Sequence, residues 1–173
     1  MNRRELETLF LTLESTPALL ARAASGLSPA QTHRSPKNGG FSFIEHVWHL
    51  ADLEREGYGV RIRRILTEEG PTLSNFDGER AARERVYANR DLAEGLTAFA
   101  RARQANLAHL RGASAEDWKR RGDQEAVGRV ALSDVPRMMT EHDRGHTAEL
   151  ADLLAELTGV ECPSLPHPVS AVA

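Results

Sequence analysis

The sequence of 173 residues predicts an all-α fold: an antiparallel four-helix bundle with short extra helices in its connections. Composition is the first observation behind this. There are 24 Ala and 21 Leu against 9 Val and 3 Ile, a mix that favours helices and withholds the residues buried strands need. The second is periodicity, because apolar residues recur at three- and four-residue steps along four long stretches. The third is punctuation: helix caps and Gly or Pro breakers bound those stretches. The length suits one domain, read as residues 1–160, with a Pro-rich tail over 161–173.

The first helix is expected over residues 3–24, where Leu6, Leu9, Phe10, Leu13 and Leu20 form a stripe and Pro17 kinks or divides it. A Gly-, Ser- and Pro-rich loop over 26–40 leads through Gly39 and Gly40 to the second helix. Ser42 with Glu45 three residues on is a capping-box pattern, and this helix should run to about residue 68, before Gly70-Pro71. A loop and a short helical piece follow to Tyr87. The third helix spans about 91–111, marked by Leu92, Leu96, Phe99, Leu107 and Leu110 and closed by Gly112. Residues 114–117 read as a short turn and 122–129 as a polar connection. Ser133 and Asp134 can cap a fourth helix, with Pro136 tolerated in its first turn and Gly159 at its end.

Charge removes some functions. Lys plus Arg is 22 and Asp plus Glu is 25, a net charge of −3, where binding to nucleic acid through phosphate neutralisation would want a basic excess. No run approaches the 18 or so apolar residues of a spanning helix, and the N-terminus has no apolar signal core, so a cytoplasmic protein without a membrane partner is expected. The one cysteine, Cys162, allows no intramolecular disulfide and no multi-cysteine zinc site, and its place beside Pro163 suits no nucleophile. Seven histidines are the unusual feature.

His142 and His146 stand four residues apart, so on a helix both imidazoles point the same way, one turn apart. That is the spacing with which one helix offers two nitrogens to a metal ion. Val135, Met139, Leu150, Leu153 and Leu157 fall within about 40° of His146, which puts the pair in the core stripe, where ring nitrogens need partners. The alternative is a hydrogen-bonded core pair without metal. On the second helix His49 lies at the edge of the core, with Glu45, Asp52 and Glu56 within about 60° as outer partners for its ring or members of a metal shell. His46, about 60° away, can replace it or add a nitrogen. Asp143 occupies the place where a metalloprotease motif needs Glu, and the Glu-x-x-His pairs of ferritin-like di-iron sites are missing. His33, His109 and His167 have no companions at ligand spacing, and Trp48 and Trp118 read as core or cleft-lining aromatics.

The run His49-Leu50-Ala51-Asp52-Leu53-Glu54, with His142-Asp143-x-x-His146 on the fourth helix and the lead-in Gly39-Gly40-Phe41-Ser42, resembles the DinB-like (DinB/YfiT) superfamily over about residues 3–158. A Trp is common in the family where Phe41 stands. The resemblance implies a divalent metal, zinc or nickel, held by His49, His142 and His146, and it favours His49 over His46. It also implies a homodimer and a metalloenzyme of the kind that transfers a low-molecular-weight thiol, such as bacillithiol or mycothiol, to a small electrophile. A three-nitrogen site leaves open positions for a thiolate or water, and Arg129 or Arg144 is a candidate to hold the carboxylates of such a thiol. The other readings are a non-catalytic metal- or ligand-binding stress-response bundle, another metal-assisted hydrolase, and an interaction module whose histidines carry no metal.

Overall fold

The computed structural model describes residues 2–37 and 39–159; the 161–173 tail, Cys162 and His167 lie outside them. Helix α1 (Arg3–Ser25) starts with a reciprocal Asn2–Glu5 capping box and is continuous through Pro17. Pro17 has no N–H to give Leu13 C=O, and the Arg103 guanidinium donates to that carbonyl instead at 3.0 Å. The expected division of this helix therefore does not occur. A short α2 (Pro29–Thr32) interrupts the following loop.

The second long helix is α3 (Phe43–Asp52), a π-helical stretch over Leu53–Tyr58, and α4 (Gly59–Thr67). The wide turn shifts the phase of all that follows, and Tyr58, Ile62 and Ile65 come to lie in the core. Next come β1 (Thr72–Leu73), α5 (Gly78–Glu84) and α6 (Leu92–Arg111), the last capped by Asp91, whose carboxylate accepts from Glu94 N–H at 2.8 Å. The stretch read as a polar connection is a hairpin, β2 (Arg121–Gln124) and β3 (Gly128–Ala131). Its turn holds Ala126 at φ 59° and Gly128 at φ 91°, and β2 pairs antiparallel with β3 and parallel with β1. A 3-10 turn leads into α7 (Val135–Thr158), which Gly159 ends in a left-handed conformation at φ 69°.

The four long helices make a four-helix bundle in which α1 packs on α6 and α7, and α3 also packs on α6 and α7. The first two long helices thus occupy opposite corners, which their long connection permits where a short loop would place them side by side. Two apolar clusters fill the interior. One gathers Phe43, Ile44, Val47, Leu50, Phe99 and Leu150, the other Phe10, Leu13, Ile62, Leu107, Val135 and Met139. Among the described residues no helix is long and apolar enough to cross a membrane.

Candidate metal centre

Gly39 and Gly40 have φ of 83° and 110°, conformations that side chains disfavour, and this turn brings the chain into α3. Glu45 folds back to accept from the Ser42 backbone N–H at 2.8 Å and its hydroxyl at 2.6 Å, fixing the start of the helix. One turn later α3 presents His46 and His49, 4% and 9% exposed, towards α7, which brings His142 and His146. His142 Nε2 lies 3.4 Å from His49 Nε2 and 3.2 Å from His146 Nε2. Two imidazoles bound to one ion at about 2.0–2.1 Å, with angles between about 90° and 110°, hold their nitrogens roughly 2.9–3.4 Å apart. The observed spacings match, so His49, His142 and His146 fit one metal ion.

The rings are held from outside. Phe41 packs on His46 and His49 with centroids 5.6 and 5.5 Å away, and Phe76 on His49 at 6.1 Å. Gly78 opens α5 directly against His49: a Cβ there would stand 2.3 Å from Cε1 and 2.4 Å from Nδ1. Burial lowers the pKa of every ring of the group, and neighbouring imidazoles add to it: His46 and His49 come to about 3 and His142 to about 4. His146 is also lowered, chiefly by burial, with Glu149 opposing. Neutral imidazoles with free lone pairs are the form that binds a metal. Nδ1 of His49 and of His142 are buried without hydrogen-bond partners.

The structure thus brings together the three histidines singled out in the sequence. It does not bring the expected carboxylates to them. Glu45 is spent on the helix cap. Asp52, fully buried, accepts from Tyr87 Oη at 2.6 Å and from Arg55 at 2.7 Å and also pairs with Arg85. Glu56 is clasped by Arg85 Nη2 at 2.7 Å. On the helix Asp52 and His46 lie about 120° apart, on opposite sides of His49, so the acid turns to the 78–90 connection while His46 turns to α7. His46 Nδ1 meets His146 Nδ1 at 3.1 Å rather than the three converging nitrogens. Exposed His109 and His33 stand apart from the cluster, His33 bonded to Pro29 C=O at 2.8 Å. Trp48 is core, donating to Asp91 C=O at 3.0 Å, and Trp118 packs near Phe10 at the far end.

Sequence reasoning missed the ionic layer beneath the histidines. Asp143, next to His142, accepts from Arg103 Nη1 at 2.7 Å, Arg103 Nη2 at 2.9 Å and Thr16 Oγ1 at 2.8 Å. Glu54 pairs with Arg103 Nη2 at 2.8 Å and accepts from Asn106 Nδ2 at 2.7 Å. This network ties α7, carrier of two histidines, to α1, α6 and the π turn. The signal was available: Arg103 interrupts the apolar steps Phe99-Arg103-Leu107, and Glu54 follows Leu50 by four.

A cavity of about 630 Å³ opens on the histidines, a size that suits a small molecule. Its wall carries Glu79, Glu149, Asp152 and Glu156 and, among the described residues, no Lys or Arg. Exposed Arg129 and Arg144 line no part of it, so neither is placed to hold a ligand's carboxylate there.

Sequence and fold comparisons agree with this geometry. A relative from Bacillus licheniformis is 38% identical over 76 residues, 44% of this chain; the match spans 43% of the relative's length. One from Geobacillus kaustophilus is 28% identical over 156 residues, covering 86% of this chain and 84% of its own. Both are named, by inference, metal-dependent hydrolases. The solved structure of YfiT from Bacillus subtilis superimposes with a TM-score of 0.83 at 22% identity, over 92% of this chain and 90% of that one, and is described as an unusual four-helix bundle. The family model of the DinB superfamily matches residues 12–150, and the chain belongs to that superfamily.

Proposed function

We propose that this chain is a metal-dependent enzyme in which His49, His142 and His146 hold one divalent ion, zinc or nickel, and that the reaction is hydrolysis of a small neutral or cationic substrate. The convergence of three neutral ring nitrogens at metal-chelating spacing, at the floor of a cavity, is the observation that carries this reading. An ion on three histidines keeps open positions, polarises a substrate oxygen and makes bound water or thiol a nucleophile at neutral pH. The chain's own part is to keep the imidazoles neutral by burial, to lock α7 through Asp143 and Arg103, and to shape a vestibule with Phe41 and Gly78. The relatives' hydrolase names agree with water as the nucleophile.

Transfer of a low-molecular-weight thiol to an electrophile is the second reading, favoured by the absence of any thiol of the chain's own among the described residues of the cavity. The acidic wall disfavours a thiol bearing several carboxylates. A panel of chromogenic esters and amides of matched size but opposite charge, run beside glutathione, bacillithiol and mycothiol with monochlorobimane, separates the two. Chelator-sensitive turnover of neutral or cationic esters, abolished in His49→Ala, is expected. Metal-dependent bimane conjugation without ester turnover would replace hydrolysis by thiol transfer.

A further inference from the structure

The same cluster contains a second set of donors on the opposite edge of His146. Its Nε2 belongs to the three-histidine set, while its Nδ1 faces away from it, 3.1 Å from His46 Nδ1 and 3.0 Å from Glu149 Oε2. His46 Nδ1 and Glu149 Oε2 are 3.8 Å apart, which closes a triangle of two imidazole nitrogens and one carboxylate oxygen. The 3.1 Å nitrogen spacing again equals the edge that two imidazoles form around one ion. His46 is buried, whereas Glu149 stands 61% exposed at the cavity wall, so the triangle opens to solvent on one side only. Asp152 and Glu156 follow Glu149 on the same wall, with no Lys or Arg among the described residues lining the cavity to offset them.

We infer that His46, His146 and Glu149 form a second divalent-metal site, with the His146 ring shared between the two ions. This rests on the three-histidine reading only for the sharing. A nitrogen-rich set with one carboxylate suits zinc or copper(II) better than calcium or magnesium. Loading it displaces the ring proton of His146 Nδ1 to solvent, as metal binding does whenever a ligand must give up its proton. A carboxylate that only oriented His146 would need no second nitrogen beside it, yet His46 occupies that corner from another helix.

Zinc titrated into the chelator-stripped, untagged full chain, followed by calorimetry and by elemental analysis after desalting, tests it. Two equivalents are expected for the wild type, and one each for Glu149→Gln and His46→Ala. His142→Ala should also keep one. Because Glu149 is exposed, its Gln variant retains the fold, and a thermal melt verifies that. Saturation at one equivalent in the wild type, unchanged in Glu149→Gln and His46→Ala but lost in His142→Ala, overturns the second site and leaves the three-histidine reading standing. A single equivalent lost in Glu149→Gln but kept in His142→Ala supports the second site and removes the first. With copper(II) at two equivalents, exchange through the shared ring should hold the integrated EPR signal below the copper content, and a signal equal to that content would refute the sharing.

Discussion

Two polar groups lie side by side in the interior of this bundle, meeting at His142 and Asp143 on α7, and they are built oppositely. Around Arg103 donors meet acceptors: the guanidinium faces Asp143, Glu54 and Leu13 C=O, with Thr16 and Asn106 filling remaining places. Around His142 like meets like, nitrogen lone pairs converging at 3.2–3.4 Å with two Nδ1 atoms left unpartnered. The first arrangement matches charge within the chain, one guanidinium in contact with two carboxylates, although Arg103 Nε and Glu54 Oε1 make no hydrogen bond. The second sets Nε2 lone pairs against one another, a repulsion that a cation among them would relieve. Buried polarity alone therefore does not mark a functional site; buried acceptors that converge without an opposite charge among them do.

The strongest way to break the comparison is to unbalance the charge-matched network. Arg103→Met leaves two carboxylates buried without their cation and should cost about 3–5 kcal/mol, read as a lowered urea midpoint at unchanged slope. Adding Asp143→Asn and Glu54→Gln to it should recover much of that loss, because the stranded charges are then gone. Next in size is Gly78→Ala. Its methyl group would overlap the His49 ring, so zinc affinity should fall by about 10- to 100-fold while the metal-free melting temperature changes little. A large loss of melting temperature with zinc affinity intact would place Gly78 in the scaffold instead.

The part of this picture that lies along single helices was legible in the sequence. The four-residue spacing of His142 and His146 and their phase on the core stripe need no tertiary information, and the caps at Ser42, Asp91 and Gly159 stand where their residue types suggest. Whatever depends on which helices are neighbours was not. Glu45, Asp52 and Glu56 share the His49 side of an ideal helix, but α5 and its connection supply Arg85 and Tyr87 and draw the last two away. The π turn leaves no periodic trace because it alters the period itself. The 121–131 hairpin escaped notice because its strands hold few β-branched residues and its turn relies on Ala126 in a left-handed conformation.

The two regions should also respond to pH with opposite signs. All four imidazoles have folded pKa values below the ordinary 6.5, so below that pH the unfolded chain binds more protons than the native one. Metal-free protein should lose stability steadily as pH falls from about 6.5 towards 4, and melts across that range should show a shallower slope in His46→Leu. Zinc should be released over the same range, since its ligands must be unprotonated.

Glu54 runs the other way and gives the smallest effect. Burial raises its pKa above the ordinary 4.5 despite the pull of Arg103, so the native state holds its proton more tightly than the unfolded one. Its contribution is therefore full below 4.5 and lost as pH rises through the folded value. Glu54→Gln keeps an acceptor oxygen for only one of Asn106 and Arg103 and turns its NH2 to the other, but it has no charge to desolvate, and Arg103 still has Asp143 for its charge. Relative to the wild type, the variant should gain about 1 kcal/mol between pH 4 and pH 8. A Glu54→Gln chain that instead loses ground to the wild type as pH rises from 4 to 8 would mean that the second carboxylate is needed as a charge, and the ionic layer would then be a balance of two anions against Arg103 and whatever cation the histidines hold above it.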